Sequence, residues 1–522
     1  MLELALEQGQ PLHDRDKAGQ LLQQAGHAVV VTPEDNKRIL RKIDVAILPI
    51  ILVIYCLQSL DKTALSYASV FGLIKDTHLH GEEYSWLGAV VYVAQLVWQP
   101  VVAFFLVKLP LGKFCATMVL CWGATLCGMA AAHNFGGLMA TRFILGSFEA
   151  SVAPTFIALV QMWYRRSEQT NRNAAWYSML GIVNIFGSLL TYGLAHIHSE
   201  IFYAYQIIFL FCGLLTVVFS LVIFLFLPDS PMKARFLKGD DRLLAIERLR
   251  MNQMGISSGE WRSDHVWECF LDPKTWIWTA LLTVVSIPSG GISTFGPLIV
   301  KSFGFDSFTT ILFNMPFGAV QLLATLGSAW AATHWRMKSP LLVGLCVPPI
   351  IGLALMLGVK YEPQNRGVLL FAYYITSVYP AISPLIYSWS GQNTAGDTKR
   401  KVTTATLFVG ASAGNIIGPN LFKPSEAPHY TSGLRANLAL FVVLIALVAV
   451  GAAYIRVLNG WQEAARARAG KAAKVLDLSM EGQRRLAARG ETVNDVKLAG
   501  GVGEKAFDDV TDRMNEDFVY VY

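Results

Sequence analysis

Charge is what this sequence has least of: 15% of its 522 residues are Asp, Glu, Lys or Arg, where a soluble domain carries about 25%. So few charges cannot solvate the surface of an ordinary globular protein of this length. Its seven cysteines form no CxxC pair, which gives neither a zinc site nor a disulfide framework, and they read as free thiols. No GxxxxGK[ST] sequence is present, so ATP drive within this chain is not supported. HExxH does not occur and no nucleophile constellation is recognisable, so the chain does not read as an enzyme and calls for no cofactor. The basic residues form no aromatic-interleaved groove, which excludes nucleic acid as a partner. The first 42 residues lack an apolar core before a small-residue cleavage site, so no cleaved signal peptide is expected and the first apolar block itself would direct insertion.

What is abundant is apolar side chain, 53% of the chain, with a mean hydropathy of +0.43. It comes in blocks of about 20 residues, the length at which a helix rising 1.5 Å per residue crosses a hydrocarbon core of about 30 Å. Twelve candidate spans are counted, at 45–68, 85–107, 113–132, 137–163, 174–196, 203–227, 275–300, 308–332, 340–358, 367–388, 402–422 and 435–457. The long polar connection 228–274, with a helical pattern through Leu243, Leu244, Ile246 and Leu249, sorts them into six plus six. The expected fold is an all-α, multi-pass membrane protein of twelve transmembrane helices in two six-helix halves, 43–227 and 275–457. A segment 1–42, the linker 228–274 and a tail 458–522 complete it. The short gaps after spans 2, 4, 8 and 10 hold ten Lys and Arg, and those after spans 1, 3, 5, 7, 9 and 11 hold five, which puts both termini and the linker in the cytoplasm. The tail reads as partly helical around 461–487 and then flexible, with no chemistry assigned to it. A faint echo, 181-GIVNIFG-187 in span 5 and 414-GNIIGPN-420 in span 11, fits two parallel repeats.

An ionisable residue inside a span costs at least about 2.5–3.5 kcal/mol on insertion scales, so each needs a partner, a wet cavity or a function. Away from the span edges there are four, all in the first half: Asp61 and Lys62 on span 1, and Arg142 and Glu149 on span 4. Adjacent helical residues point about 100° apart, so Asp61 and Lys62 look toward different partners. Counted from Val45 they lie about 24 Å along span 1, in its outward half. Lys62 continues a polar stripe, Tyr55, Gln58 or Ser59, Lys62, Ser66, suited to the wall of a wet cavity. Arg142, Gly146 and Glu149 share one face of span 4. Two acids and two bases can neutralise one another, and protonating one acid unbalances the set. The competing reading is structural, with Asp61–Arg142 or Lys62–Glu149 simply locking span 1 to span 4.

The second half offers neutral polar and aromatic groups. Span 7 contains 286-SIPSGGISTFGP-297, where Pro288, Gly290 and Gly291 are expected to weaken the helix. Asn314 precedes Pro316 in span 8, and Tyr379, Ser383 and Tyr387 lie on a stripe of span 10 broken by Pro380 and Pro384. These groups are either a substrate pocket or kinks and small-residue helix packing. His196 and His198, at the outer end of span 5, read as surface groups.

Several segments stand out beyond these charges, LDKTALSYASVFGL in span 1, YSWLGAVVYVAQLVWQP and KLPLGK at span 2, RFILGSFEASVAPTF in span 4 and MWYRRSEQTNRNAAWYS leading to span 5. Others are LPDSPMKARFL, DPKTW, NTAGDTKRKVTTA, GNIIGPNLF and the terminal FDDVTDRMNEDFVYVY. Together they resemble the major facilitator superfamily, specifically its fungal allantoate permease branch within the anion:cation symporters. The resemblance implies a secondary active transporter: proton-coupled uptake of a small organic anion or nitrogenous nutrient by alternating access, in a monomer at the plasma membrane, with protons, the cargo and the lipid bilayer as partners. It also implies that Asp61 and Glu149 are proton-coupling groups and that Lys62 and Arg142 contact the cargo, with Gln58, Asn314, Tyr379, Ser383 and Tyr387 as further candidates. Gln99 stands where relatives often carry an acid, which removes a charge from span 2. The alternative is efflux of a secondary metabolite of a biosynthetic gene cluster, mildly suggested by the aromatic, charge-poor second half. The absence of a GPxxGG run in span 5 counts toward uptake.

Overall fold

The computed structural model describes residues 31–70, 73–80, 83–195, 202–252, 260–305, 312–422, 426, 429–474 and 509–522. His196 and His198, and the side chain of Ser66, lie outside these. Every regular element among the described residues is helical. The first half comprises Pro33–Val70, Glu83–Lys108 and Leu111–Met129, a fourth span in two pieces, Phe135–Glu149 and Val152–Trp163, a fifth beginning at Arg166–Tyr177, and Ala204–Phe226. The second comprises Pro273–Ser302, Asn314–Trp335, Ser339–Gly358, a tenth span in pieces from Arg366–Thr376 to Ile382–Gln392, Asp397–Asn420 and Thr431–Arg468.

Among the described residues nine helices are long and apolar enough to cross a membrane. The spans that fall short are the fifth, eighth and eleventh, and the packing explains why. Spans 5 and 8 pack on one another across the two halves, as do spans 2 and 11, so three of the four interface helices face protein and polar groups as well as lipid. Under a repeat relating span n to span n+6, one of these contacts maps onto the other.

Local chemistry sets the breaks. Pro154 lacks an N–H and cannot donate to the carbonyl of Ala150, so span 4 interrupts right after Glu149. Span 10 breaks into a 3₁₀ turn, Tyr379–Ala381, at Pro380, as the sequence suggests. Span 7 does not break: Pro273–Ser302 is one helix despite Pro288, Gly290 and Gly291. Its glycines instead serve close packing, since a Cβ on Gly290 would meet the backbone oxygen of Asn415 in span 11 at 2.9 Å. Span 5 contains a π-turn at Val183–Gly187, inside the echo sequence.

The linker, the start of span 1 and the final residues gather at one end of the bundle. The linker helix Asp240–Glu247 buries Leu244 and Ile246 and holds span 1 through Lys42–Asp241 at 2.6 Å. The last helix runs on to Arg468, into the part of the tail expected to begin as helix. One departure from the sequence reading lies here. Residues 509–522, expected to be flexible, are docked, and of these Phe518, Tyr520 and Val521 are buried. Asp512 bridges Lys274 and Lys399, at 2.9 Å from the latter. Trp389 and Asn393 of span 10 donate to the carbonyl of Val521 at 2.9 Å each.

Candidate functional site

Asp61 and Lys62 diverge as their adjacency requires. The Lys62 ammonium sits 4.0 Å from Oε2 of Glu149 and 5.9 Å from the ring of Tyr92 on span 2. The Lys62 side chain is 38% exposed while that of Glu149 is fully buried, so the pair has one wet and one dry member. Asp61 turns the other way, into the first half, where Trp122 of span 3 and Cys212 of span 6 are its neighbours. It is buried, and neither carboxylate oxygen has a hydrogen-bond partner among the described residues. Arg142 is buried within electrostatic reach of both acids, but its Nε donates to the carbonyl of Leu87 at 3.2 Å, tying span 4 to span 2. Of the two structural pairs weighed from the sequence, Lys62–Glu149 is formed. The close approach that seats these groups comes from Gly146, where a Cβ would lie 2.6 Å from the oxygen of Val91.

Two glutamines service the break in span 4. Gln58 donates to the carbonyl of Glu149 at 3.4 Å, and Gln99 donates at 3.1 Å to that of Ala150, the oxygen orphaned by Pro154. Gln99 therefore has a structural task, and Gln58 contributes to positioning. Gln95 reaches Oε2 of Glu149 at 3.4 Å. Tyr92 and Gln95 were not singled out in the sequence, although Tyr92, Gln95 and Gln99, spaced three and four apart on an apolar span, are the available signal.

On the linker side of this centre the halves close over an aromatic layer. Tyr55 lies 4.8 Å from Trp176, which stacks on Tyr387 at 6.0 Å, and Tyr387 in turn packs on Phe408 of span 11 at 5.4 Å. Ser383, one turn before Tyr387, is buried at the same interface, while Tyr379 packs toward Phe441 of span 12. Asn314 is not brought to this group: it begins the span 8 helix and accepts from Tyr373 at 3.4 Å. A polar contact between spans 5 and 8 at this level is Asn184 to Gln321 at 3.0 Å. It lies beside Gly181 and Gly318, where each glycine's Cβ would fall within 2.7 Å of the other's carbonyl oxygen.

The seal continues to the linker end. Asn173 donates to Ser388 at 3.1 Å and Gln392 to the carbonyl of Arg166 at 2.5 Å, both across the halves. Arg166, from the first half, donates to the carbonyl of Val519 at 2.9 Å and lies over the ring of Phe518, so the docked tail touches both halves.

Residues 51–419 match the family model described as Major Facilitator Superfamily. The chain belongs to that superfamily. Its relatives within the superfamily include the Thiamine pathway transporter THI73 of Saccharomyces cerevisiae, 34% identical over 78% of this chain and 77% of its own length. The Allantoate permease of the same yeast is 28% identical over 85% and 84%. Among solved structures, the proton:xylose symporter XylE covers 81% of this chain and 96% of its own at a TM-score of 0.60 and 12% identity, a likeness of fold. This major facilitator protein is a multi-pass membrane transporter, not an enzyme.

Proposed function

We propose that this transporter takes up a small organic anion or nitrogenous nutrient across the plasma membrane together with protons, as a monomer. The observation that carries the reading is the Lys62–Glu149 pair, a half-exposed cation facing a fully buried acid at 4.0 Å. A carboxylate cargo and Glu149 compete for one ammonium. Protonating Glu149 frees Lys62 to hold the cargo, and deprotonating it lets Glu149 recapture Lys62 and expel the cargo, which links the two fluxes. Arg142 keeps span 4 fixed on span 2, and Asp61, buried behind span 1 without a donor, is a second proton site. With the linker side sealed, we infer that cargo enters from the opposite end. Relatives named for the thiamine pathway and for allantoate support small nitrogen-containing nutrients as the cargo class.

The test is uptake in proteoliposomes with an imposed pH gradient. Glu149→Gln and Asp61→Asn are expected to abolish uphill accumulation while cargo exchange persists. Undiminished accumulation in both variants would remove these acids from coupling, and accumulation only in inside-out vesicles would make the protein an exporter.

A further inference from the structure

The linker carries a helix, Ser263–Leu271, that enters directly into span 7 at Pro273. At nine residues it is about 13 Å long, too short to cross a membrane. Its two faces differ sharply. Two residues at i, i+4 spacing, His265 and Cys269, are buried, with Cys269 against Thr403 of span 11 at 3.2 Å. Trp267, Phe270 and Leu271, at i, i+3 and i+4, are exposed, Trp267 at 69% and Leu271 at 73%. A large aromatic and two large apolar side chains on one exposed stripe are a surface that water does not favour.

Two contacts set the depth of this stripe. At its end, Trp276 of the first turn of span 7 donates from its indole to the carbonyl of Phe270 at 2.8 Å and is itself exposed. Before its start, Trp261 packs at 5.4 Å on Phe104, an exposed residue in the last turns of span 2. Phe104 and Trp276 belong to the outer surfaces of membrane helices at the level where those helices leave the hydrocarbon. The stripe therefore continues the lipid-facing surface of spans 2 and 7 around a corner, while Arg262 and Asp264, paired at 2.9 Å, mark its polar edge. We propose that Ser263–Leu271 lies in the headgroup–acyl boundary of the bilayer on the linker side, with Trp267, Phe270 and Leu271 in contact with phospholipid.

The arrangement has a mechanical meaning. Glu268, between the two faces, is 2.8 Å from the Lys399 ammonium at the start of span 11. A helix floating at fixed depth therefore holds the charged base of span 11 at that depth too, so lipid contact is transmitted to an interface helix of the transporter.

The experiment uses the full chain in phosphatidylcholine nanodiscs, with a benzophenone amino acid in place of Trp267, Leu271 or Asp264, irradiated and analysed by mass spectrometry. Lipid adducts several-fold more abundant at 267 and 271 than at 264 are expected. Equal adduct at all three positions, or crosslinks from 267 and 271 to peptides of 475–508 of this chain, would overturn the proposal. The unsubstituted protein supplies a second reading that no folding defect can mimic. Hydroxyl-radical labelling of Trp267 in nanodiscs should fall close to that of Trp276, and labelling at the level of the same tryptophan in a freed peptide would equally overturn it.

Discussion

Replacing Lys399 by Met should cost more than replacing Asp512 by Asn, although the two side chains meet in one ion pair. The difference follows from counting charges in a cluster closed to solvent. Lys399 and Lys274 face Asp272, Asp512 and Glu268, with Lys399 at 2.9, 2.9 and 2.8 Å from the three acids respectively. Asp272 and Asp512 are fully buried. Removing Asp512 leaves two cations against two acids and loses charge-assisted hydrogen bonds worth about 1.5–3 kcal/mol. Removing Lys399 leaves one cation against three acids, the uncompensated case that costs about 3–5 kcal/mol. At 1.36 kcal/mol per tenfold, local opening rises by about one to two orders of magnitude for Asp512→Asn and about two to four for Lys399→Met.

The readout is hydrogen exchange of the docked tail, where the amides of Tyr520 and Val521 donate to Asn459 and Asn393 at 2.9 and 2.7 Å. The pH dependence adds a second constraint. Burial alone would raise the Asp512 carboxyl, but Lys274 and Lys399 outweigh it and hold the group well below its ordinary 3.8. Burial would lower Lys399, but Asp512, Asp272 and Glu268 outweigh it and raise the ammonium above its ordinary 10.5. The acid's contribution is thus complete above its ordinary value and lost as pH falls through its depressed one. The lysine's is complete below its ordinary value and lost as pH rises through its elevated one. The wild-type cluster is at full strength across neutral pH, whereas the Lys399→Met deficit should shrink toward acid, where the stranded carboxylates can protonate. Exchange in Lys399→Met no faster than in Asp512→Asn, or a deficit that grows on acidification, would refute the reasoning.

Two further outcomes are expected. Lys62→Ala should weaken binding of an anionic cargo at least tenfold more than that of a neutral analogue, since it removes a cation while leaving the aromatic layer in place, as measured by competition binding in detergent. Gln99→Leu should lower thermal stability by about 1–3 kcal/mol, because the carbonyl of Ala150 then has neither a helical donor nor an amide, whereas Gln95→Leu, which touches only the acid, should cost less.

The spans were legible because lipid imposes one length and one polarity on them, and the four intramembrane charges stand out against that background. What escaped is instructive in physical terms. Lys399 reads as one more cation of the gap after span 10 because its counter-charges, Asp272, Glu268 and Asp512, lie far away in sequence and only the fold assembles them, whereas Arg400 and Lys401 pair locally with Asp397. The terminal segment reads as flexible for the same reason: Phe518, Tyr520 and Val521 have no apolar periodicity with one another, and their partners are spread over spans 5, 7, 10 and 12. In span 7 the sequence shows glycines and a proline without showing that span 11 presses against them and keeps the helix whole. Gln99 looked like a lost acid, when Pro154, 55 positions further on, creates the oxygen that it serves.

The glycine contact between spans 5 and 8 gives the transporter a fulcrum. At Gly181 and Gly318 the two halves touch main chain to main chain, with no side chain between them to be sheared or compressed. Two bodies rolling on such a point travel farthest at their tips and least beside it. For a carrier that rocks, the linker end and the opposite mouth would trade open and closed positions while the Asn184–Gln321 contact hardly shifts, so the large rearrangements fall at the two ends of the bundle and spare its middle.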